Sequence, residues 1–433
     1  MSQVSTARLA ALDLIGAVLR RRHPLDDAIE DNPAMDELAG RDRAFARLLV
    51  ATVLRRLGQI DALIARCLTT PLAPRAAPVH DILRLGVAQL MFLRTPAHAA
   101  VATSVDLAQR RGFFSHKGLV NAVLRRLSVE GAALVGDQDA PRLNTPDWLW
   151  RSWSGSYGEA TARAIATAHL KEAPLDLTLR ADAEAWCEKL QGVVLSTGTV
   201  RRAAGGSVTS LPGYAEGAWW VQDAAAALPA RLLGDVAGRE VIDLCAAPGG
   251  KTAQLAAAGA RVVAVDRSTR RLDRLVANFG RLGLPVEAVA ADALSWRPPR
   301  PVEAVLLDAP CTTTGAVRRH PDVPHLKLPE DVARLSAVQE NLLRAALDML
   351  RPGGTLVYCT CSLEPQEGPQ RIEALFRGGA PVARRAIEPD EIGARPEWIT
   401  ADGDLRTLPC HLAESDGLDG FFCARLVKLD PPP

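Results

Sequence analysis

The spacing of apolar residues is helical in the first third of the chain. Leu9, Leu12, Ile15 and Leu19 recur three or four positions apart, which is the spacing of one face of an amphipathic helix. The same period runs through four later stretches, at residues 42–68, 79–93, 97–111 and 117–127. The alternation of apolar and polar positions that marks strands does not occur there. The pattern predicts an all-α domain of about five or six helices over residues 1–133.

The pattern changes from about residue 225 onwards. Apolar runs rich in β-branched residues are predicted as strands at residues 240–244, 261–266, 285–290, 304–308 and 355–358. Helical stretches separate several of them, at residues 250–258, 269–282 and 331–350. Strands that alternate with helices in this way indicate βαβ units and a parallel sheet. We therefore predict a Rossmann-like α/β domain over residues 223–433.

The segment between these two regions is mixed. Residues 131–150 contain several glycines and prolines and are predicted to form a linker. A helical stretch follows at 159–170, and short strands are predicted at 175–179 and 192–195. We expect a small α+β linking subdomain over residues 140–222.

The composition excludes several classes of protein. The chain has 433 residues, 48% of them apolar, and its 51 Lys+Arg nearly balance 50 Asp+Glu. It is therefore neither disordered nor fibrous. Uncharged apolar runs fall short of the roughly 18 residues of a transmembrane helix, and Asp13 interrupts the N-terminal one, which argues against a secretory signal. Eight irregularly spaced cysteines do not form a disulfide scaffold, so we expect a protein of the reducing cytoplasm. We also expect it to be a monomer.

A turn at the start of the α/β domain has the features of a ligand site. It comprises Cys245, Ala246, Ala247, Pro248, Gly249, Gly250, Lys251 and Thr252. Its two glycines allow the backbone to approach a ligand at a helix N-terminus, although a plain strand-to-helix turn would look similar. The next strand ends in Asp266, which is placed to accept both hydroxyls of a ribose. Because neither the dinucleotide fingerprint nor the P-loop is matched, S-adenosylmethionine fits better than NAD.

Two further aspartates follow strands of the same predicted sheet. Asp292 follows the third strand, where it would meet the edge of an adenine, or equally would cap the next turn. Asp308 ends the fourth strand and precedes Ala-Pro-Cys. The carboxyl ends of parallel strands open into the ligand crevice, so we expect Asp308 to line it.

Two cysteines are predicted to face this crevice. Cys311 and Cys361 lie 50 residues apart in sequence, yet each follows the end of a neighbouring strand. Any single cysteine is more often a small buried hydrophobe. Carbon 5 of a pyrimidine, however, becomes nucleophilic only after a group such as a thiolate adds to carbon 6. A thiol, a carboxylate and a second thiol beside a methyl-donor site meet the needs of that reaction. No Cys-x-x-Cys or His pair suggests a metal, and none is expected.

Residues 241–368 resemble the RsmB (Sun) family of bacterial 16S rRNA cytosine-5 methyltransferases, relatives of the eukaryotic Nop/NSUN enzymes. The motifs that show it are DLCAAPGGKT (243–252), VVAVD (262–266), DAPCTTTGAVRRHPD (308–322) and LVYCTCSLEPQEG (356–368). The N-terminal helices resemble the NusB-like, RNA-binding domain of the same family. Its motifs here are RDRAFARLLVATVLRR (41–56) and HKGLVNAVLRRL (116–127).

The resemblance implies a role for each motif residue. Cys361 is the implied nucleophile, and Cys311 helps to remove the carbon-5 proton. Asp308 contacts the target base, and the implied methyl-donor residues are Cys245, Ala246, Ala247, Pro248, Gly249, Gly250, Lys251, Asp266, Asp292 and Asp308. DNA cytosine methyltransferases lack the second cysteine, so the presence of both favours RNA, with 16S rRNA the first expectation and tRNA or 23S rRNA the alternatives.

Two alternative functions and a set of predicted RNA contacts complete the sequence analysis. A non-catalytic NusB-like RNA-binding or antitermination factor would leave the cysteines and the turn unexplained, and the missing fingerprint argues against a nicotinamide-dependent oxidoreductase. Arg318, Arg319 and His320 follow the first cysteine motif and are predicted RNA contacts, with a solvated loop as the alternative. The family often continues with Lys-Trp, where this chain has Val-Pro-His-Leu at 323–326.

Overall fold

The computed structural model of the chain describes residues 6–430. It contains two compact units. The first comprises Met1–Lys171 together with Val317–Lys327, and the second comprises Glu172–Ala316 together with Leu328–Pro433. Among the helices of the described part, none combines the length and the hydropathy needed to cross a membrane.

The first unit is helical, as the periodicity predicts. Its helices are α1 (Thr6–Arg21), α2 (Leu25–Glu30), α3 (Pro33–Asp36), α4 (Gly40–Arg55), α5 (Leu57–Cys67), α6 (Ala77–Met91), α7 (Ala97–Arg110), α8 (Lys117–Gly136), α9 (Ala140–Leu143), α10 (Asp147–Tyr157) and α11 (Glu159–His169). The apolar faces predicted from the sequence supply its core, in which Ile15, Leu49, Leu83 and Leu124 are fully buried.

The linker predicted at 131–150 is wrong for much of its length, because α8 continues to Gly136. A Cβ added at Gly131 would lie 2.6 Å from the Sδ atom of Met91. The glycine therefore permits close helix packing and does not mark a turn. The helical unit also extends past the predicted boundary at 133: the side chain of Gln59 in α5 donates to that of Gln138 at 3.0 Å, and its backbone N–H donates to Asn144 at 3.2 Å.

The segment Val317–Lys327 packs in the helical unit although it follows Cys311 in sequence. The backbone N–H of Leu25 donates to Asp322 at 2.9 Å. The ring Nε2 of His325 lies 2.9 Å from the carbonyl oxygen of Leu54. Long-range contacts of this kind leave no periodic signal in the sequence, so the sequence analysis missed them.

The second unit begins with a small antiparallel sheet. Its elements are β1 (Leu175–Leu179), α12 (Ala183–Leu190), β2 (Val193–Val194), β3 (Val200–Arg202) and β4 (Trp219–Val221). The strands pair in the order β2-β3-β1-β4. Asp176 and Arg201 form a buried ion pair at 2.7 Å across β1 and β3. The predicted α+β character is confirmed for residues 175–221, whereas residues 140–171, predicted to belong to the same subdomain, lie in the helical unit.

The main sheet follows. Its strands and helices are α13 (Leu228–Arg231), β5 (Glu240–Leu244), α14 (Gly250–Ala257), β6 (Arg261–Asp266), α15 (Thr269–Leu282), β7 (Glu287–Ala290), β8 (Val302–Asp308), α16 (Pro329–Met349), β9 (Leu350–Thr360), α17 (Pro369–Arg377), β10 (Val382–Arg384), β11 (Leu405–Arg406) and β12 (Phe422–Lys428). The strand order is β10-β12-β9-β8-β5-β6-β7, and β11 pairs with β12.

Strands β5 to β9 pair in parallel, which confirms the predicted fold class, whereas β12 is antiparallel to β9. Alternate residues of the central strands enter opposite cores: Val241 packs on one face of the sheet, and Ile242 on the other. Helices therefore cover both faces, and β5, β8 and β9 are apolar almost throughout. The order of strands reverses between β5 and β8, so a ligand crevice is expected at their carboxyl ends.

Candidate active site

The turn that joins β5 to α14 needs its glycine for two reasons. Gly249 has φ +102°, a conformation that L side chains rarely adopt. A Cβ at this position would also lie 2.8 Å from the Cγ atom of Leu275. Cys245, at the start of the turn, likewise has a positive φ of +60°. The backbone of the predicted cofactor turn is therefore held in one path by both conformation and packing.

The carboxylate of Asp266 holds this turn against the end of β6. It accepts from the backbone N–H of Ala247 at 3.3 Å, from that of Ser268 at 2.9 Å and from the guanidinium of Arg271 at 3.1 Å. Asp292 lies exposed after β7 and accepts from the backbone N–H of Leu294 at 2.9 Å. The capping contact expected for Asp292 is therefore present, and the adenine contact stays a prediction.

A buried ion pair joins the turn to the end of β8. The Nζ atom of Lys251 lies 2.7 Å from Oδ2 of Asp308, and Lys251 is only 8% exposed. Asp308 also accepts from the Sγ atom of Cys359 at 3.5 Å. The ammonium of Lys251 lies 5.0 Å from the ring centroid of Phe421, a cation–π contact. Cys359 is fully buried in β9.

The structure brings the two predicted catalytic cysteines together. The Sγ atoms of Cys311 and Cys361 lie 3.5 Å apart, in loops that leave β8 and β9. The backbone N–H of Gly315 donates to the carbonyl oxygen of Cys361 at 2.9 Å, which ties one loop to the other. Parallel pairing of β8 with β9 sets Asp308 opposite Cys359. The sheet thereby brings together two thiols that are 50 positions apart in the sequence.

The two thiols differ in how readily they lose a proton. The hydrogen bond between the two thiols has the largest effect in lowering the pKa of Cys361, and the nearby ammonium of Lys251 acts in the same direction. The same hydrogen bond raises the pKa of Cys311, as do burial and the carboxylate of Glu367. Of the two thiols, Cys361 is therefore the one whose environment favours the thiolate.

Two acidic residues of the site were missed by the sequence analysis. Asp243 is buried in β5 and accepts from the hydroxyl of Thr252 at 2.6 Å. Burial is the main cause that raises the pKa of Asp243 to about 7. Glu367 is buried behind the two thiol loops and accepts from Ser362 at 2.6 Å. Both lie within recognised motifs, but nothing in the local pattern distinguishes a buried carboxylate from a solvated one.

The three predicted RNA contacts lie in the helical unit. Arg318 is 1% exposed, and its carbonyl oxygen accepts from the guanidinium of Arg55 at 3.0 Å. His320 lies 3.5 Å from Asp26. As placed here, the side chain of Arg318 is not accessible to a ligand in solution. Arg319 and His320 are half-buried, and RNA contact stays a prediction for them.

The turn fits the predicted S-adenosylmethionine. Gly250 is the first residue of α14, so the turn ends at a helix N-terminus. The Oδ1 atom of Asp243 is buried beneath the turn and accepts no hydrogen bond in the described part of the chain. Free backbone N–H groups at a helix start and carboxylates at strand ends suit a nucleoside. Residues 245–251 and Asp266 are therefore the residues that would hold the methyl donor.

Comparisons with known proteins identify the family of both parts of the chain. A family model described as 16S rRNA methyltransferase RsmB/F matches residues 230–427, and a NusB family model matches residues 5–128. Ribosomal RNA small subunit methyltransferase B of Pseudomonas syringae is 36% identical over 441 residues, which cover 98% of this chain and 97% of that protein.

Solved structures share the fold. The crystal structure of PH0851 covers 99% of this chain and 100% of its own, with a TM-score of 0.76 and 20% identity. NSun6 from Pyrococcus horikoshii, solved with SFG, covers 66% of this chain and 99% of its own, with a TM-score of 0.55 and 18% identity. The family resemblance, the fold class and the methyl donor predicted from the sequence are confirmed. The chain belongs to the RsmB/F family of S-adenosylmethionine-dependent RNA methyltransferases.

Proposed function

We propose that the protein methylates carbon 5 of a specific cytidine in 16S rRNA and that Cys361 bonds covalently to the base during the reaction. The main support is the pair of thiols 3.5 Å apart. An enzyme that methylates an exposed nitrogen or oxygen needs no nucleophile of its own. A cytosine carbon does need one, because carbon 5 is not nucleophilic until carbon 6 has been attacked.

The reaction begins at Cys361. Its thiolate adds to carbon 6, and the displaced electron pair makes carbon 5 nucleophilic while N3 gains a proton from solvent. We assign Asp308 to the base, where its carboxylate supports this proton. Bound S-adenosylmethionine supplies the methyl group. Cys311 then removes the proton from carbon 5, and the electrons of that C–H bond form the C5–C6 double bond again. The bond between carbon 6 and Cys361 breaks with its electrons on sulfur, and N3 returns its proton to solvent.

The proton affinity of Cys311 changes during this sequence. The hydrogen bond and the charge of the Cys361 thiolate are among the causes that raise the pKa of Cys311. Once Cys361 is bonded to carbon, its sulfur no longer bears that charge. The pKa of Cys311 then falls, so the thiol can release its proton to solvent and act as the base that the second half of the reaction requires. The two cysteines thereby exchange roles through one hydrogen bond.

The choice of RNA rests on relatives. The similar protein of Pseudomonas syringae is named as a ribosomal RNA small subunit methyltransferase, which supports 16S rRNA ahead of tRNA or 23S rRNA. The target cytidine must be unstacked or single-stranded to reach a thiol in a crevice. The NusB family match supports RNA contact by the helical unit.

The test is methyl transfer to purified 16S rRNA from tritiated S-adenosylmethionine, followed by bisulfite sequencing of the product. Cys361→Ala should lower the rate by at least about 10³-fold and leave the affinity for S-adenosylhomocysteine unchanged. Cys67→Ala, which removes a free thiol of the helical unit, is the matched control and should retain full activity. Wild-type rates in Cys361→Ala would refute the covalent role. A 5-methylcytidine found only in tRNA or 23S rRNA would refute the target.

A further inference from the structure

A buried carboxylate lies directly behind the two thiol loops. Glu367 is 0% exposed and ends the 3₁₀ turn Pro365–Glu367. Its carboxylate accepts from the backbone N–H of Thr312 at 3.0 and 3.2 Å, and from the hydroxyl of the same residue. It also accepts from Ser362 at 2.6 Å and from Gln339 at 3.1 Å. All of these donors are uncharged, so hydrogen bonds alone compensate for its burial.

The donors are the neighbours of the reacting residues. Thr312 follows Cys311 in the chain, and Ser362 follows Cys361. One carboxylate therefore binds both thiol loops, each one residue from its sulfur. The backbone of Glu367 is fixed in turn, because its carbonyl oxygen accepts from the hydroxyl of Tyr358 in β9 at 2.7 Å. Gln339 of α16 anchors the other side, since it also donates to the carbonyl oxygen of Pro310 at 2.9 Å.

We propose that Glu367 is a positioning residue that holds the loops of Cys311 and Cys361 at the separation needed to release the methylated base. The proposal rests on the proposed function. In the release step Cys311 takes the carbon-5 proton, the electrons of that C–H bond form the C5–C6 double bond, and Cys361 leaves as a thiolate. Both sulfurs must then reach adjacent carbons of one ring, so their separation is the quantity that Glu367 controls.

The carboxylate is needed for its two acceptor oxygens. Thr312 donates to both oxygens through its backbone N–H, and two hydroxyls converge on Oε2. Glu367→Gln keeps the size of the side chain but turns one acceptor into an NH₂ donor, which would face groups that already donate. The loop of Cys311 would therefore separate from that of Cys361 while the surrounding core keeps its volume.

The first experiment measures the thiol pair without RNA or S-adenosylmethionine. Phenylarsine oxide binds two neighbouring thiols on one arsenic atom with release of water, so its affinity reports their separation. Glu367→Gln should bind it about tenfold or more weakly than wild type, whereas Glu330→Gln, which changes an exposed carboxylate of α16, should bind it as wild type does. Cys311→Ser shows the level of binding when the pair is lost. Unchanged arsenical binding in Glu367→Gln would overturn the proposal.

The second experiment measures the release step. With substrate RNA and S-adenosylmethionine, Glu367→Gln should accumulate a covalent protein–RNA adduct and turn over about 10- to 100-fold more slowly, with an unchanged KM for S-adenosylmethionine. A merely structural defect would lower the amount of folded protein and leave no adduct. If Glu367→Gln does not fold, Ser362→Ala removes one donor and should show the same two effects at smaller size; its failure to do so would equally overturn the proposal. A wild type that methylates no cytidine would refute the proposed function but leave the arsenical result standing.

Discussion

Replacing Lys251 by methionine tests the ion pair at the centre of the site. The Nζ atom lies 2.7 Å from Asp308, and the lysine side chain is 10% exposed against 33% for the aspartate. The variant keeps an aliphatic chain of similar length but leaves the Asp308 carboxylate without its cation. Removing one partner of a buried pair costs about 3–5 kcal/mol. Because Asp308 is partly solvated, we expect about 2–3 kcal/mol here.

The interaction is isolated by a double-mutant cycle. Lys251→Met and Asp308→Asn each leave an unpaired charge, whereas the double variant leaves none. Urea denaturation should therefore show that the double variant is about 2 kcal/mol more stable than the sum of the single changes predicts. Lys428→Met is the matched control, because its Nζ donates to the carbonyl oxygens of Leu347 and Leu350 and forms no ion pair within residues 6–430. The changes that Lys428→Met and Asp308→Asn cause in the free energy of unfolding should add in the double variant.

Additive free energies in the Lys251–Asp308 cycle, within about 0.5 kcal/mol, would refute the reasoning. That outcome would mean that solvent screens the pair and that Lys251 does not affect the charge state of the crevice. A second measurement is independent of stability. Lys251 is one of the groups that lower the pKa of Cys361, so the pH at which Cys361 becomes reactive towards iodoacetamide should rise in Lys251→Met.

The remaining predictions concern release and acid stability. Cys311→Ser should accumulate a covalent adduct with substrate RNA, visible as a slow band on a denaturing gel, because general-base help worth about 10²–10⁴-fold is lost; no band would contradict its assigned role. Burial, with Arg318 and Arg55, lowers the pKa of His169 from 6.5 to about 3. Below about pH 6.5 the unfolded chain binds a proton at this histidine that the folded chain does not bind. The free energy of unfolding therefore decreases as the pH is lowered, by about 3 kcal/mol near pH 4.5. His169→Phe should remove most of that loss in denaturation curves, and equal losses in both proteins would refute the assignment.

Local sequence signals predicted much of the fold because they depend on neighbouring positions. The helical period of α1 and the apolar runs of β5 and β8 needed no long-range information. The linker prediction failed at Gly131 because a glycine required for close packing against Met91 looks the same in sequence as a glycine in a turn. The predicted helix at 42–68 is likewise two helices, α4 and α5, which join at Arg56.

The sequence alone determined the cofactor turn and the approximate meeting of Cys311 with Cys361. A contiguous motif specifies a backbone path, and parallel strands bring their carboxyl ends to one edge. Only the tertiary structure decided that the two sulfur atoms lie within hydrogen-bond distance, that Glu367 joins their loops, and that Arg318 is buried in the helical unit. These properties depend on burial and on distances of 3 to 4 Å between residues far apart in the chain. Such distances are set by packing and have no counterpart in residue spacing.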